Sequence, residues 1–151
     1  MSQKTSADFP QGARFVTGGR TVTEADIGNF ACLTWDSYPL HTDEEFARTT
    51  VYGTRIASGP MTFSFAVGLM AVSQVFQDSI IGFLGLGDLR TLAPVRAGDT
   101  ISVEAEVTDN RPTSKPGRAV VAMRYDVVNQ KKERVLTAEM RFLMHAPSAS
   151  T

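Results

Sequence analysis

The second half of the chain alternates between hydrophobic and polar residues with a period of two, which is typical of half-buried β-strands. The alternation is clearest from Ile101 to Val107 and from Val121 to Val127. Residues that favour turns separate the alternating segments, such as Gly98-Asp99 and the stretch 110–117 with its two prolines. We therefore predict four strands, at residues 80–86, 100–107, 118–128 and 134–144.

The first half of the chain predicts two short strands and then a helix. The strands are expected at residues 13–16 and 20–22. Thr23 and Asp26 have the spacing of a capping box, which marks the start of the helix. One face of this helix would comprise Ile27, Phe30, Ala31 and Thr34. The helix would bring Asp36 to its C-terminal end.

A second short helix and a long central one are predicted before the strands. Thr42 is the expected cap of the short helix, in which Phe46 and Ala47 would face inward. Pro60 suits the first turn of the next helix, because an N–H there would have no helical partner. From Met61 to Phe76 hydrophobic residues occupy every helical face, which is typical of a helix buried on all sides. Helices followed by consecutive strands indicate an α+β fold with an antiparallel sheet.

Composition and charge limit the organisation of the chain and its class of partner. A length of 151 residues fits one domain, expected at residues 13–145, between a loose arm at 1–12 and a disordered tail at 146–151. The net charge of −1 offers no basic field for nucleic acid or an anionic membrane. Cys32 is the only cysteine, so no intrachain disulfide can form, and no hydrophobic run is long enough to span a bilayer. A cytoplasmic protein is expected.

The segment from Asp36 to Met61 holds the side chains that suggest chemistry. A carboxylate, Asp36, precedes an imidazole, His41, by five residues. Pro39 between them fixes its own φ and keeps the residue before it extended, so a turn could point both side chains into one cavity. Gly59 lies at the predicted start of the central helix, where backbone N–H groups lack helical acceptors and form an anion site. The chain has no histidine or cysteine cluster, so we expect no metal site and no cofactor.

The same segment resembles the signature of the MaoC-like dehydratases, a family that includes the (R)-specific enoyl-CoA hydratases. The matching residues are Asp36-x-x-Pro39-Leu40-His41-x-Asp43, then Phe46-Ala47, Ile56-Ala57-x-Gly59 and Met61. A later run, from Leu92 to Asp99, is similar to the strand and turn that follow in the family. The resemblance covers about residues 13–145. It implies the hot-dog fold, in which an antiparallel sheet wraps around a long central helix.

The resemblance also implies an activity and a set of site residues. The chain would be a hydratase or dehydratase that adds water reversibly to a 2-enoyl thioester, carried on CoA or on a carrier, to give a 3-hydroxyacyl thioester. Asp36 and His41 would share the water and the proton transfers, while the N–H of Gly59 would polarise the thioester carbonyl. Four residues would lie beside the substrate: Tyr38, Ser58, Pro60 and Met61. Tyr38 stands where the family usually has Asn, and Ser58 where it usually has His.

Two other functions fit the same sequence. A hot-dog thioesterase would place a carboxylate on or beside the central helix, but residues 61–77 contain no Asp or Glu, which argues against it. A thioester-binding or partner subunit, in which Asp36 and His41 are only structural, stays open. One sheet wrapped around one helix would expose an apolar face and an edge strand. We therefore expect a homodimer or a higher even oligomer, with no nucleic-acid or membrane partner.

Overall fold

An antiparallel sheet and a set of helices make up the computed structural model of the chain, which describes residues 3–147. The strands are β1 Arg14–Val16, β2 Arg20–Thr21, β3 Ile80–Thr91, β4 Thr100–Pro112, β5 Arg118–Val128 and β6 Arg134–His145. The α-helices are α1 Glu24–Thr34, α2 Pro39–Thr42, α3 Glu44–Arg48 and α4 Gly59–Val72. The strands lie in the order β1, β4, β5, β6, β3, and the short β2 also pairs with β4. The predicted α+β class is confirmed.

One face of the sheet forms the core, and the two alternating segments supply much of it. The residues predicted to point inward are all buried: Ile101, Val103, Ala105, Val107, Val121, Met123, Tyr125 and Val127. In the β4–β5 pair, Val103 lies opposite Val127 and Ala105 opposite Tyr125, which places these side chains on one face. Burial raises the pKa of the Tyr125 hydroxyl, as expected for a phenol removed from water. The period-two pattern therefore predicted the core face correctly.

β3 and β4 are longer than the sequence predicts. β3 continues past Leu86 to Thr91, although Gly87 and Asp88 are residues that usually break strands. The pairing of β3 with β6 shifts register between Gly87 and Arg90, so the residues that usually break strands lie in an irregular part of the pairing. β4 also continues beyond its predicted end and has a register shift of its own.

α4 packs only one side against the inner face of the sheet. Its buried residues are Met61, Thr62, Ala66 and Met70. The helix ends at Val72 rather than Phe76, and Gln74 follows with a φ of 56°, which no α-helix accommodates. The opposite side is exposed, with Val67 39% and Val72 81% accessible to solvent. The prediction of a helix buried on every side is therefore wrong for the single chain, because one sheet covers one side of a helix.

The residues before β1 pack against the core, whereas the sequence predicts a loose arm at 1–12. Phe9 is fully buried, and its ring centroid lies 5.7 Å from that of Phe15. The side-chain amide of Asn110, on β4, donates a hydrogen bond of 2.8 Å to the carbonyl of Phe9. The buried Phe9 ring and hydrogen bonds to β4 together hold this segment on the sheet.

The two ends of the chain are described only in part. Residues 1–2 and 148–151 lie outside the described residues, and they include most of the predicted disordered tail. The first residue of that tail, Ala146, donates its N–H to the carbonyl of Gly117 at 2.9 Å. Main-chain pairing therefore continues one residue beyond β6.

α1 has the predicted capping box and a sharp end. The N–H of Thr23 donates to the Asp26 carboxylate at 2.9 Å, and the N–H of Asp26 donates to the Thr23 hydroxyl at 3.0 Å. The buried residues of the helix are Ile27 and Ala31. Trp35 ends the helix in the left-handed region, with a φ of 63°. This turn redirects the chain directly before Asp36.

The cap of the short helix is one residue later than predicted. Asp43, not Thr42, precedes α3, and its side chain accepts a hydrogen bond of 3.0 Å from the N–H of Phe46. Pro39 begins a helical turn of its own, α2, and Thr42 is the last residue of that turn. Ala47 faces inward as predicted, but Phe46 is 37% exposed, so its predicted inward position is wrong.

Candidate active site

A cavity of about 300 Å³ lies where the loop before α4 meets the sheet. Two of the three predicted catalytic residues, His41 and Gly59, line it together. The other lining residues are Tyr52, Ile56, Ala57, Thr62, Thr91, Leu92, Ala93, Pro94, Val95, Val135 and Leu136. The wall is therefore mixed: apolar side chains such as Val95 and Leu136 lie beside the polar side chains of His41, Tyr52, Thr62 and Thr91 and the start of α4.

His41 is held by the backbone of the loop that precedes α4. Its Nδ1 lies 2.7 Å from the carbonyl oxygen of Ile56. A carbonyl only accepts hydrogen bonds, so this contact assigns the proton of the neutral ring to Nδ1 and leaves the lone pair on Nε2. Ile56 in turn donates its N–H to the carbonyl of Leu40 at 3.3 Å, which ties the loop to α2. The half-buried imidazole is thus oriented with one nitrogen available to accept a proton.

Gly59 presents a backbone N–H without an acceptor at the start of α4. Pro60 has no N–H, the N–H of Met61 donates to the Ser58 hydroxyl at 3.2 Å, and that of Thr62 donates to the Ser58 carbonyl at 3.1 Å. The N–H of Gly59 makes no hydrogen bond to another residue within the described range 3–147. Such a donor can stabilise negative charge that develops on a substrate oxygen.

Asp36 and Tyr38 do not line the cavity. Within residues 3–147 neither a hydrogen bond nor an ion pair joins the carboxylate of Asp36 to His41, so their shared role stays a prediction. Tyr38 is 57% exposed and packs edge-on against His41, with 6.4 Å between ring centroids. The ring centroid of Phe46 lies 6.1 Å from that of Tyr38. Tyr38 therefore packs beside the imidazole without lining the cavity.

The other three predicted substrate contacts belong to the first turn of α4. Ser58 is buried, and its hydroxyl caps the helix by accepting the hydrogen bond from Met61. Met61 is fully buried in the core, and Pro60 occupies the first turn with an exposed ring. None of the three lines the cavity. The structure gives them roles in building the helix start that presents Gly59.

Sequence reasoning misses most of the cavity wall. The N–H of Ala57 donates to the carbonyl of Val95 at 2.8 Å, and the N–H of Leu92 donates to the carbonyl of Val135 at 2.9 Å. These main-chain contacts join the loop before α4, the segment after β3 and the start of β6. The resemblance of the run from Leu92 to Asp99 was a signal for part of this wall. The β6 residues had no such signal, because strand pairing alone brings them to the site.

A network of charged groups holds the loop residues that directly precede Ile56. Glu44, at the start of α3, accepts hydrogen bonds from the Thr54 hydroxyl at 2.7 Å and from Nε of Arg55 at 3.0 Å. Arg55 also donates to Glu24 of α1 at 2.6 Å. The hydrogen bonds from Thr54 and Arg55 lower the pKa of Glu44 to about 2. Glu44 therefore keeps its negative charge throughout the neutral range.

Neither a metal-binding group of side chains nor a membrane-spanning helix is found in the part of the chain that the structure describes. Between residues 3 and 147, no three His, Cys, Asp or Glu side chains are grouped so that they could hold a metal ion. In the same range, no helix is both long enough and apolar enough to cross a membrane.

Known sequences identify the family of the chain. The MaoC like domain matches residues 8–130. The chain is 37% identical over 117 residues to Protein MaoC of Klebsiella aerogenes, which covers 78% of this chain and 34% of that protein. It is 35% identical over 96 residues to the (R)-specific enoyl-CoA hydratase of Rhodospirillum rubrum, covering 64% of this chain and 65% of the hydratase. The chain thus matches only part of the length of these relatives. It belongs to the MaoC-like family, as the motif residues predict.

Solved structures confirm the hot-dog fold. A structure described as the monoamine oxidase regulatory protein from Archaeoglobus fulgidus has a TM-score of 0.90 and 38% identity, and the match covers 96% of each chain. A Mycobacterium tuberculosis protein described as having a double hotdog fold has a TM-score of 0.84 and 17% identity. That match covers 99% of this chain and 46% of the other. At such low identity it supports the fold alone.

Proposed function

We propose that this chain is a hydratase that adds water reversibly to a 2-enoyl thioester and gives a 3-hydroxyacyl thioester. One observation carries the proposal: His41, with Nε2 free to accept a proton, and Gly59, with an N–H free to donate, line the same cavity. The first group can act as a base toward water, and the second can bind the thioester carbonyl oxygen. The family and the name of the R. rubrum relative support this reaction.

In the hydration direction, the N–H of Gly59 donates to the thioester carbonyl oxygen, where negative charge develops. Nε2 of His41 takes a proton from water while the water oxygen bonds to C3 and the C2=C3 electrons move toward the carbonyl. The enolate then takes up a proton at C2 and the carbonyl is restored. The proton taken from water thus balances the proton added at C2, and we propose that Asp36 and His41 share these transfers, as the family resemblance implies. General acid/base help contributes about 10²–10⁴-fold, and one oxyanion donor contributes about 10²–10³-fold.

The acyl part of the substrate is proposed to lie along the apolar part of the cavity wall. Val95, Val135 and Leu136 provide hydrocarbon surface beside the polar groups of His41 and Gly59. A pocket that combines hydrocarbon surface with a few oriented polar groups is typical of a site that binds a small molecule. The thioester would be carried on CoA, which the name of the R. rubrum relative favours, or on an acyl carrier.

We propose that two copies of the chain pair through β3. This strand ends the sheet, so its outer edge has no partner within the described residues. Its exposed apolar residues are Ile81, Phe83, Leu84, Leu86 and Leu89. The exposed side of α4, with Val67 and Val72, adds further apolar surface. A long apolar edge strand left in water is a site of association, so an edge-to-edge homodimer, or an even multiple of it, is the assembly that we expect.

We propose a cytoplasmic location. Cys32 is a free and exposed thiol, which persists in a reducing compartment. The net charge of −1 gives the chain no basic field, so no nucleic-acid or membrane partner is proposed.

A panel of 2-enoyl-CoA thioesters of increasing chain length separates the candidate functions. Hydration removes the absorbance of the enone, a thioesterase releases free CoA thiol, and a binding subunit gives heat of binding without either change. We expect loss of absorbance without thiol release. In Asp36→Asn the rate should fall by about 10²–10⁴-fold, the scale of general acid/base help. Thiol release alone would favour the thioesterase, and binding alone would favour the partner subunit.

A further inference from the structure

The carbonyl that holds His41 belongs to a short loop, and the side chain of Glu44 holds that loop. Glu44 accepts a hydrogen bond from the Thr54 hydroxyl at 2.7 Å. It also accepts two from Arg55, one from the backbone N–H at 3.2 Å and one from Nε at 3.0 Å. One carboxylate therefore restrains the two consecutive residues directly before Ile56, whose carbonyl oxygen lies 2.7 Å from Nδ1 of His41.

The chain just before this loop is exposed, and a further side-chain anchor there is Nη2 of Arg96, which donates to the Tyr52 carbonyl at 3.2 Å. Val51 is almost fully exposed, and Gly53 adopts a φ of 70° in a turn. Arg55 adds another anchor, because its Nη2 donates to Glu24 at 2.6 Å and so connects the loop to α1 as well as α3. The side chains of Glu44 and Arg55 therefore hold the residues before Ile56, while the main-chain N–H groups of Ile56 and Ala57 bond to the carbonyls of Leu40 and Val95.

We propose that Glu44 is a positioning residue that fixes the tautomer and the orientation of His41. By holding Thr54 and Arg55, it keeps the Ile56 carbonyl within hydrogen-bond distance of Nδ1, so Nδ1 carries the proton and Nε2 is the acceptor. The inference rests on the proposed function in one respect, since that function makes Nε2 the base that takes a proton from water. The lowered pKa of Glu44 means that the carboxylate is ionised at neutral pH and can accept these hydrogen bonds.

Nitrogen-15 NMR of histidine-labelled protein reads the tautomer directly, without substrate. The chain has two histidines, His41 and His145, and the His145→Gln variant assigns their signals. We expect the wild type to show the Nδ1–H tautomer of His41, and Glu44→Gln to show a mixture with the Nε2–H form. Glu45→Gln is the matched control, because it removes the same charge from the next residue, which pairs with Arg48 and is mostly exposed. It should keep the wild-type signals.

Variants of Thr54 provide a second test, which remains informative if Glu44→Gln does not fold. Thr54→Val removes the hydroxyl with little change of shape, while Thr54→Ser keeps the hydroxyl. With an active enoyl-CoA substrate, kcat of Glu44→Gln should fall by about 10- to 100-fold with little change in KM, the scale of a displaced catalytic group. Thr54→Val should lose part of that activity and shift part of the tautomer population, and Thr54→Ser should restore both.

The outcomes separate this inference from the proposed function. If Glu44→Gln and Thr54→Val keep a pure Nδ1–H tautomer and the wild-type kcat, Glu44 is only structural and the inference is overturned. If Glu44→Gln does not fold, the same result in Thr54→Val alone overturns it. A tautomer shift in either variant supports the positioning role even when no thioester is hydrated, in which case only the proposed function fails.

Discussion

A side chain on Gly59 would collide with Thr91. A Cβ placed on Gly59 would lie 2.9 Å from Cγ2 of Thr91, closer than carbon atoms pack. Gly59 is the first residue of α4 and Thr91 the last residue of β3, and both line the cavity. This pair therefore sets how closely the start of the helix approaches the strand, and with it the position of the free N–H.

We expect Gly59→Ala to lose activity while the fold is kept. The methyl group would displace the helix start, and a misplaced catalytic group costs up to about 10²-fold in rate. Stability should change by no more than about 1 kcal/mol, because Gly59 is the first residue of α4 and the collision involves one side chain. Steady-state kinetics and thermal unfolding measure the two effects separately.

Thr91→Ser removes Cγ2 and keeps the hydroxyl, so it relieves the collision. The double variant Gly59→Ala, Thr91→Ser should therefore recover most of the lost kcat. If it is no more active than Gly59→Ala, this contact does not explain why glycine occurs at position 59.

Ser58→Ala should destabilise the protein rather than weaken substrate binding. The Ser58 hydroxyl caps α4, and loss of such a cap costs about 1 kcal/mol. Ser64→Ala is the control, because its hydroxyl donates to the Pro60 carbonyl on the exposed side of the same helix and its loss should change stability by less than about 0.5 kcal/mol. Denaturant unfolding and KM are the measurements. A large rise in KM with unchanged stability would instead place Ser58 at the substrate, as the family resemblance implies.

Glu44 should make stability depend on pH in the acid range. Its pKa falls from an ordinary value of 4.5 to about 2 in the folded chain, so the unfolded chain takes up the proton first as the pH falls. The stabilisation is therefore complete above about pH 4.5 and is lost as the pH falls toward 2. The gap in Tm between the wild type and Glu44→Gln should be wide at pH 6 and narrow steadily below pH 4.5. A gap of constant size across this range would contradict the assignment.

Leu84→Glu should separate the proposed dimer into folded monomers. Leu84 is 53% exposed on β3 in the single chain, so a charge there should change the stability of the monomer little. The same charge should strongly weaken the association of two β3 edges. Val16→Glu is the matched control, since Val16 is 66% exposed on β1, the strand at the opposite end of the sheet. In sedimentation velocity at micromolar concentration, the control should stay dimeric. A wild type that sediments as a monomer, or a dimeric Leu84→Glu, would exclude pairing through β3.

The sheet core could be predicted from the sequence because the alternation along each strand identifies the buried residues of that strand. Alternation along β4 and β5 identifies Val103 and Tyr125 as core residues without knowledge of their partners. The exposure of Val67 on α4 could not be predicted in this way, because it depends on which side the sheet covers. The same holds for Phe9, whose burial depends on a contact with β4 that is distant in sequence.

The sequence predicted only those residues of the candidate site that belong to the family motif. His41 and Gly59 line one cavity as the resemblance implies, but Asp36 forms no hydrogen bond or ion pair with His41 in the described chain. The roles of Glu44 and Val135 had no local signal. Val135 reaches the cavity through strand pairing and Glu44 acts through hydrogen bonds to a separate loop, and a pattern along one segment encodes neither.

The central claim is that His41 is the base of an enoyl-thioester hydratase. The most direct measurement compares His41→Ala with His145→Gln in the loss of enone absorbance from a 2-enoyl-CoA that the wild type hydrates. Both variants should fold, because His41 is half-buried at the cavity and His145 is exposed at the end of β6. We predict that His41→Ala hydrates the substrate about 10²–10⁴-fold more slowly, the scale of general acid/base help, while His145→Gln keeps the wild-type rate. A folded His41→Ala with the wild-type rate would contradict the proposed function.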